Sequence, residues 1–222
     1  MADGARTTPP ARDQLVALAR RGVTWRWSPP EPKARPAAVL VLFGALDHIP
    51  AQHHAGAVAA DLDVLLVGRA TSLSQHAGQV AFPGGRVDPG DGGPVEAAIR
   101  EAVEETGLDP AGVEVLGTLA ELGVPRSDHR VTPVLAWWRA PSPVGVVDPA
   151  ESAHVFRAPV ADLLDPELRR TGVLPGTAYR GPAFGVGEHL VWGFTAMVLD
   201  RIFDELAWTE PWDRTRTVEV PV

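Results

Sequence analysis

GGRVDPGDGGPVEAAIREAVEETGL, residues 84–108, passes from a glycine-rich turn into apolar and charged residues at helical spacing. Pro94 suits the first turn of a helix and Gly107 its C-terminal stop. Between them Val95, Ala98, Ile99, Ala102 and Thr106 mark the expected buried stripe. Glu101, Glu104 and Glu105 then fall within roughly a 100° arc, beside that stripe and not opposite it. Like charges three and four apart on a helix repel, at about 0.2–0.5 kcal/mol per pair. Two readings offset the repulsion. One is a solvated acidic face with Arg100 supplying ion pairs. The other is a hard-cation site, because carboxylates are suitable ligands for magnesium and a divalent cation removes their repulsion.

The bulk of the chain narrows the choice. With 222 residues and 45% apolar content it is long enough for one globular domain with a real core. Its formal charge of −8, without a Lys/Arg run, suits nucleic acid poorly. A polyanionic substrate would need a bound cation to attract it. The chain has no cysteine, which excludes disulfides, thiolate zinc sites and cysteine nucleophiles. Any metal is then held by oxygen or imidazole, which favours magnesium, manganese or calcium. The start, MADGARTTPPARDQ, lacks the pattern of a signal peptide, and the apolar run PAAVLVLFGAL is too short to span a bilayer. A soluble cytoplasmic protein, with no membrane partner, is expected.

Outward from the quoted stretch, residues 11–22 read as a short amphipathic helix with a glycine stop, followed by a Pro-rich linker to Pro36. AAVLVLF from Ala37 and DVLLVGR from Asp63 read as buried strands, and QVAF from Gln79 as a short strand running into Pro83. VEVLGTLAEL and HRVTPVLAWW read as strands, with Trp137 and Trp138 pointing to opposite faces. DPAESAHVFRAPVADLL gives a strand and then a short helix over 160–164. HLVWGFTAMVLDRIFDEL, ending at Leu206, reads as one helix with Trp192, Thr195, Ala196, Leu199, Ile202 and Phe203 on one side. The last residues read as extended. Strands in groups mixed with two main helices suggest an α+β fold, helices packed on a mixed sheet.

The residues around the three glutamates resemble the Nudix box. Its second half is complete in Arg100, Glu101, Ala102, Val103, Glu104, Glu105, Thr106, Gly107 and Leu108. In the first half Gly85 is followed by five residues and Asp91 instead of Glu, with eight residues instead of seven before Arg100. This variant resembles the coenzyme A pyrophosphatase-like branch. That branch's upstream signature is matched by Leu65-Leu66, Gly78 and Phe82-Pro83-Gly84-Gly85, with Ser74 at its arginine position and Arg69 five residues earlier. The segments VTPVLAWW and VWGFTA are similar to the branch as well. The resemblance implies an α/β/α sandwich over residues 36–212, preceded by an extension (1–35) and followed by a tail (213–222).

It also implies a metal-dependent hydrolase that cleaves the diphosphate of a nucleoside diphosphate conjugate, coenzyme A or a derivative. Alternatives are ADP-ribose, a dinucleotide or an oxidised nucleotide as substrate, or a nucleotide-binding module without turnover. Mg2+ or Mn2+ would be held by Glu101 and Glu105, with Glu104 as a further ligand or water-orienting base and Arg100 pairing with a box glutamate. Arg69, His76, Gly84 and Gly85 would meet substrate or phosphate. Asp91 is expected to cap the following helix or lie at the surface, and His53 and His54 to be loop residues. Tyr179, Arg180 and Phe184 lie in a Gly/Pro-rich loop suited to closing over a substrate. Members of this fold often dimerise, so a homodimer is a partner state the resemblance allows.

Overall fold

A computed structural model describes residues 10–25, 30–45, 51–53, 62–70, 79–124 and 128–221. The expected mixed α+β architecture is present, with helices on both faces of a mixed sheet. Strand β1 (Arg35–Ala45) is the centre of that sheet. It pairs antiparallel with β2 (Leu62–Arg69) and with β4 (Gly84–Arg86), and parallel with β7 (His129–Trp138). The short β3 (Val80–Ala81) and the longer β8 (Ser152–Pro159) pair with β2, while β5 (Val113–Thr118) and β6 (Leu122–Val124) pair with β7.

The unbroken apolar run of β1 follows from burial on both faces. Leu40 and Leu42 pack beneath helix α2 (Pro94–Thr106) with Ala97, Ala98 and Ala102. Val41 and Phe43 face the other way, into a larger core with Leu15 and Leu18 of α1 (Ala11–Arg21), the short α3 (Val160–Leu164) and α4 (Gly193–Glu205). Trp137 and Trp138 divide between the same two cores, as strand alternation requires. A second sheet lies in the order β11-β10-β9-β12, formed by β9 (Arg169–Val173), β10 (Arg180–Val186), β11 (His189–Val191) and β12 (Thr217–Glu219).

Three expectations are corrected. The face of α2 turned to the sheet is Ala97, Ala98, Ala102, Glu105 and Thr106. Small residues let this helix sit close, and Val95, at the edge of that core, lines with Ile99, Val103 and Pro110 an open apolar groove of about 420 Å3. The segment ending at Leu206 is not one helix: His189–Val191 forms a strand, and α4 begins only at Gly193, whose φ of 66° follows the extended Trp192. The Gly/Pro-rich loop is a β-hairpin, in which Phe184 is wholly buried in the core and cannot close over a ligand. Tyr179 instead lies edge-on to Trp192, 6.2 Å between ring centroids.

Candidate active site

Three neighbouring elements assemble the site. Gly84 and Gly85 on β4 pair with Val39 and Ala38 of β1, which fixes their main chain against the sheet. Helix α2 then crosses over them. The Gly84 N–H donates to Glu105 Oε2 at 3.0 Å. A Cβ on Gly84 would fall 2.3 Å from the Ala38 carbonyl oxygen, and one on Gly85 would fall 2.4 Å from Glu101 Oε1. At Gly84 main chain and a φ of 156° exclude a side chain, while at Gly85 a Cβ would displace the Glu101 carboxylate, so the glycines are what allow two carboxylates to approach the strand.

The two carboxylates differ in surroundings. Glu105 is only 9% exposed. Burial pushes its carboxyl up to about 7, the Gly84 hydrogen bond opposes this, and the nearby charge of Glu101 adds to the rise. Glu101 is also raised, first by burial, with the Arg100 hydrogen bond acting against it. Glu104 turns away: its side chain is 57% exposed and one oxygen accepts from Arg100 at 3.1 Å.

Arg100 is the hub of the turn. Its Nε and Nη2 donate to the two oxygens of Asp91, both at 3.0 Å, and the same guanidinium reaches Glu101 at 3.0 Å and the Arg86 carbonyl at 3.1 Å. Asp91 therefore neither caps α2 nor lies open at the surface, as expected from sequence. Its side chain is 8% exposed, and the Arg100 fork holds its carboxyl below the usual carboxylate range. The N-cap position of α2 is Gly93, with no side-chain cap hydrogen bond, and Glu96 in the first turn accepts from the Gly92 N–H, just before the helix, at 2.7 Å. The extra residue in the loop explains the change: the turn closed by Asp91 N–H on the Asp88 carbonyl aims the shorter acid at Arg100.

Arg69 stands at the end of β2, half-buried, with its Nε lacking a hydrogen-bond partner among the described residues. Its charge acts on Glu105, lowering that group's proton affinity. Ser74, His76 and Gly78 of the upstream signature, and His54, lie outside the described residues. His53 is a loop residue, as expected, placed 3.1 Å from Glu210.

The donor set fits a hard divalent cation in kind: two carboxylates on one helix edge, one of them buried with no Lys, Arg or His in salt-bridge contact among the described residues, beside exposed main chain. Among the described residues no three His, Asp or Glu side chains already converge into a cage. No described helix is long and apolar enough to cross a membrane.

Comparison with known proteins places the chain in a family. The family model of the NUDIX domain matches residues 50–172. The chain is 35% identical over 150 residues to the uncharacterised Nudix hydrolase NudL of Photorhabdus laumondii, covering 64% of the chain and 76% of that relative. To the protein of the same name in Escherichia coli it is 37% identical over 148 residues, covering 61% of the chain and 71% of the relative. The fold is similar to the crystal structure of RenU, a Nudix hydrolase from M. smegmatis, with a TM-score of 0.52 and 21% identity over 82% of this chain and 91% of that one. Enzymes of this family hydrolyse nucleoside diphosphate derivatives and generally use divalent metal ions. The chain belongs to the Nudix family, and it is a hydrolase of phosphorus-containing anhydrides.

Proposed function

We propose that this enzyme hydrolyses the diphosphate bond of a nucleoside diphosphate conjugate, with coenzyme A or a derivative as substrate and Mg2+ or Mn2+ held by Glu101 and Glu105. The observation that carries the reading is Glu105: a buried acid kept near a sheet edge by one Gly84 N–H, with its proton affinity raised and no protein cation paired to it among the described residues. Such a group is unfavourable alone and favourable once a cation arrives. A divalent ion there would neutralise the diphosphate and lower the pKa of a bound water.

The chain's own residues then have separate tasks. Glu101 and Glu105 bind the ion. Arg100, held by the Asp91 fork, fixes Glu101 against the Gly85 turn. Glu104, which keeps solvent access, orients water. Arg69 offers its unpartnered Nε–H to a phosphoryl oxygen. The coenzyme A assignment rests on the upstream match at Leu65-Leu66 and Phe82-Pro83-Gly84-Gly85. Ser74 in place of an arginine favours, as a second reading, ADP-ribose or another nucleotide conjugate.

The test is product release from coenzyme A, acyl-coenzyme A, ADP-ribose and NADH with each metal, for wild type and Glu105→Gln. Cleavage of coenzyme A to adenosine 3′,5′-bisphosphate, lost on the order of a thousandfold in Glu105→Gln, is the expected result. Preference for another conjugate overturns the substrate. Full activity in Glu105→Gln overturns the metal site.

A further inference from the structure

The turn that carries Asp91 contains a bond with chemistry of its own. Asp91 is followed by Gly92, which has no Cβ to hinder attack of its main-chain nitrogen on the aspartate Cγ. That attack forms the N–Cγ bond, expels one water and closes a five-membered succinimide. Water then opens the ring at either carbonyl. One opening restores aspartate. The other gives isoaspartate, whose main chain runs through the former side chain and is one methylene longer. Neither step needs a reagent beyond water, and Gly92 is exposed to it. The chain has no asparagine, and Asp3-Gly4, outside the described residues, is its only other Asp-Gly pair.

Ring closure asks two things of the turn. The Asp91 Cγ has to swing over the Gly92 nitrogen, and that nitrogen has to give up its proton. The fold opposes both. Asp91 Oδ1 accepts from Arg100 Nε and Oδ2 from Arg100 Nη2, each at 3.0 Å, and Oδ2 also accepts from the Asp88 N–H at 2.8 Å. Three donors on two oxygens hold the carboxylate toward Arg100. The Gly92 N–H is engaged as well. It donates to Glu96 Oε2 at 2.7 Å, and the charge of that carboxylate disfavours a second negative charge on the nitrogen. Arg100 and Glu96 both belong to α2, so the restraint lasts only while turn and helix stay together.

We infer that Asp91-Gly92 is a latent isomerisation site, held inert by the Arg100 fork and by Glu96 and released when the turn opens away from α2. Isoaspartate carries its free carboxylate directly on Cα, one carbon shorter, which draws it away from Arg100. The inference needs neither the metal nor the substrate assigned above.

The experiment is incubation of the full chain at neutral pH, well below its unfolding midpoint, with isoaspartate at position 91 followed in time by peptide mapping. Folded wild type forms it about tenfold more slowly than the same chain unfolded in urea, because reaction waits for local opening. Arg100→Gln, which removes the fork, and Arg100→Lys, which keeps the charge without it, bring the folded rate close to the unfolded one. Glu96→Gln, which keeps an acceptor and loses the charge, raises it less. Asp3-Gly4 reacts alike in wild type and variants. Equal rates in folded and unfolded wild type overturn the inference. A slow wild type with unchanged rates in all three variants also overturns it, since the restraint then lies elsewhere. Glu96 is exposed, so Glu96→Gln decides the matter alone where loss of Arg100 unfolds the chain.

Discussion

Two buried acids of this molecule, Asp63 and Glu105, show opposite solutions to the same problem. Asp63 on β2 is completely buried and meets Arg157 of β8 at 2.7 Å, a guanidinium that also lies 4.8 Å from the centre of the Trp138 ring. The counter-charge there comes from within the fold. Glu105 is nearly as buried, yet it receives one main-chain N–H and faces another acid. Arg169 repeats the Asp63 solution in the second sheet, fully buried between Phe184 and Trp212 and bonded to Asp200 at 2.5 Å. Where the fold buries a charge for its own stability it supplies the counter-charge. Where it withholds one, at Glu105, the proposed divalent cation is the counter-charge.

The strongest way to break this contrast is to remove one acid from each place. Asp63→Asn leaves Arg157 buried without its anion and lowers stability by about 3–5 kcal/mol, read as a fall in the urea midpoint at pH 7. An unchanged midpoint removes Asp63 from the category of structural charge.

Glu105 gives a smaller effect of the opposite sign. Its carboxyl titrates near 4.5 in the unfolded chain and at about 7 in the fold. Between those values the folded state keeps a proton that the unfolded state has released, so metal-free stability falls as pH rises through the window. From pH 4 to pH 8 the loss is about 3 kcal/mol relative to Glu105→Gln, which cannot release that proton. Denaturant unfolding of both proteins at the two pH values, in chelator, measures it. Added Mn2+ restores stability to wild type at pH 8 and not to the variant. Parallel pH profiles for the two proteins refute the assignment.

His154 sharpens the comparison from the basic side. Burial, followed by the neighbouring His189 ring stacked 4.2 Å away, lowers its pKa. Its folded value lies below 6.5, so its contribution is present above that pH and is lost as pH falls. His154→Phe keeps the stack and flattens the acid side of the stability curve while leaving Mn2+ affinity unchanged. The smallest effect belongs to Asp91→Asn, which weakens the hold on Arg100 and lowers kcat by about tenfold with little change in the unfolding midpoint.

Helix α2 was legible in advance because its signals are local: Pro94, Gly107, and acids three and four apart. The direction in which it leans was not, because that depends on how closely alanines approach β1, and no periodicity records the distance. Asp91 was misread for a related reason. Its partner is set by the path of the loop between Arg86 and Gly93, and the spacing of residues says only that this path is one longer. The hairpin of β9 and β10 was hidden by its glycines, which look like loop residues in sequence. In space a Cβ at Gly172 would lie 2.9 Å from Val220, a neighbour far along the chain, and one at Gly181 would lie 2.7 Å from the hydroxyl of Tyr179, two residues back.

The parallel pairing of β1 with β7 has a consequence during synthesis. Translation delivers β1, with its run Val39–Phe43, long before β7 begins at His129, and no earlier strand takes that edge. Until then one side of the most apolar strand in the chain has unpaired N–H and C=O groups, the condition under which nascent chains associate with one another. Gly84 and Glu105 both precede β7, so the cleft with its uncompensated acid takes shape on a sheet still open at its middle. A pause in synthesis after α2 has left the ribosome and before β7 has done so would hold the chain at its most vulnerable point.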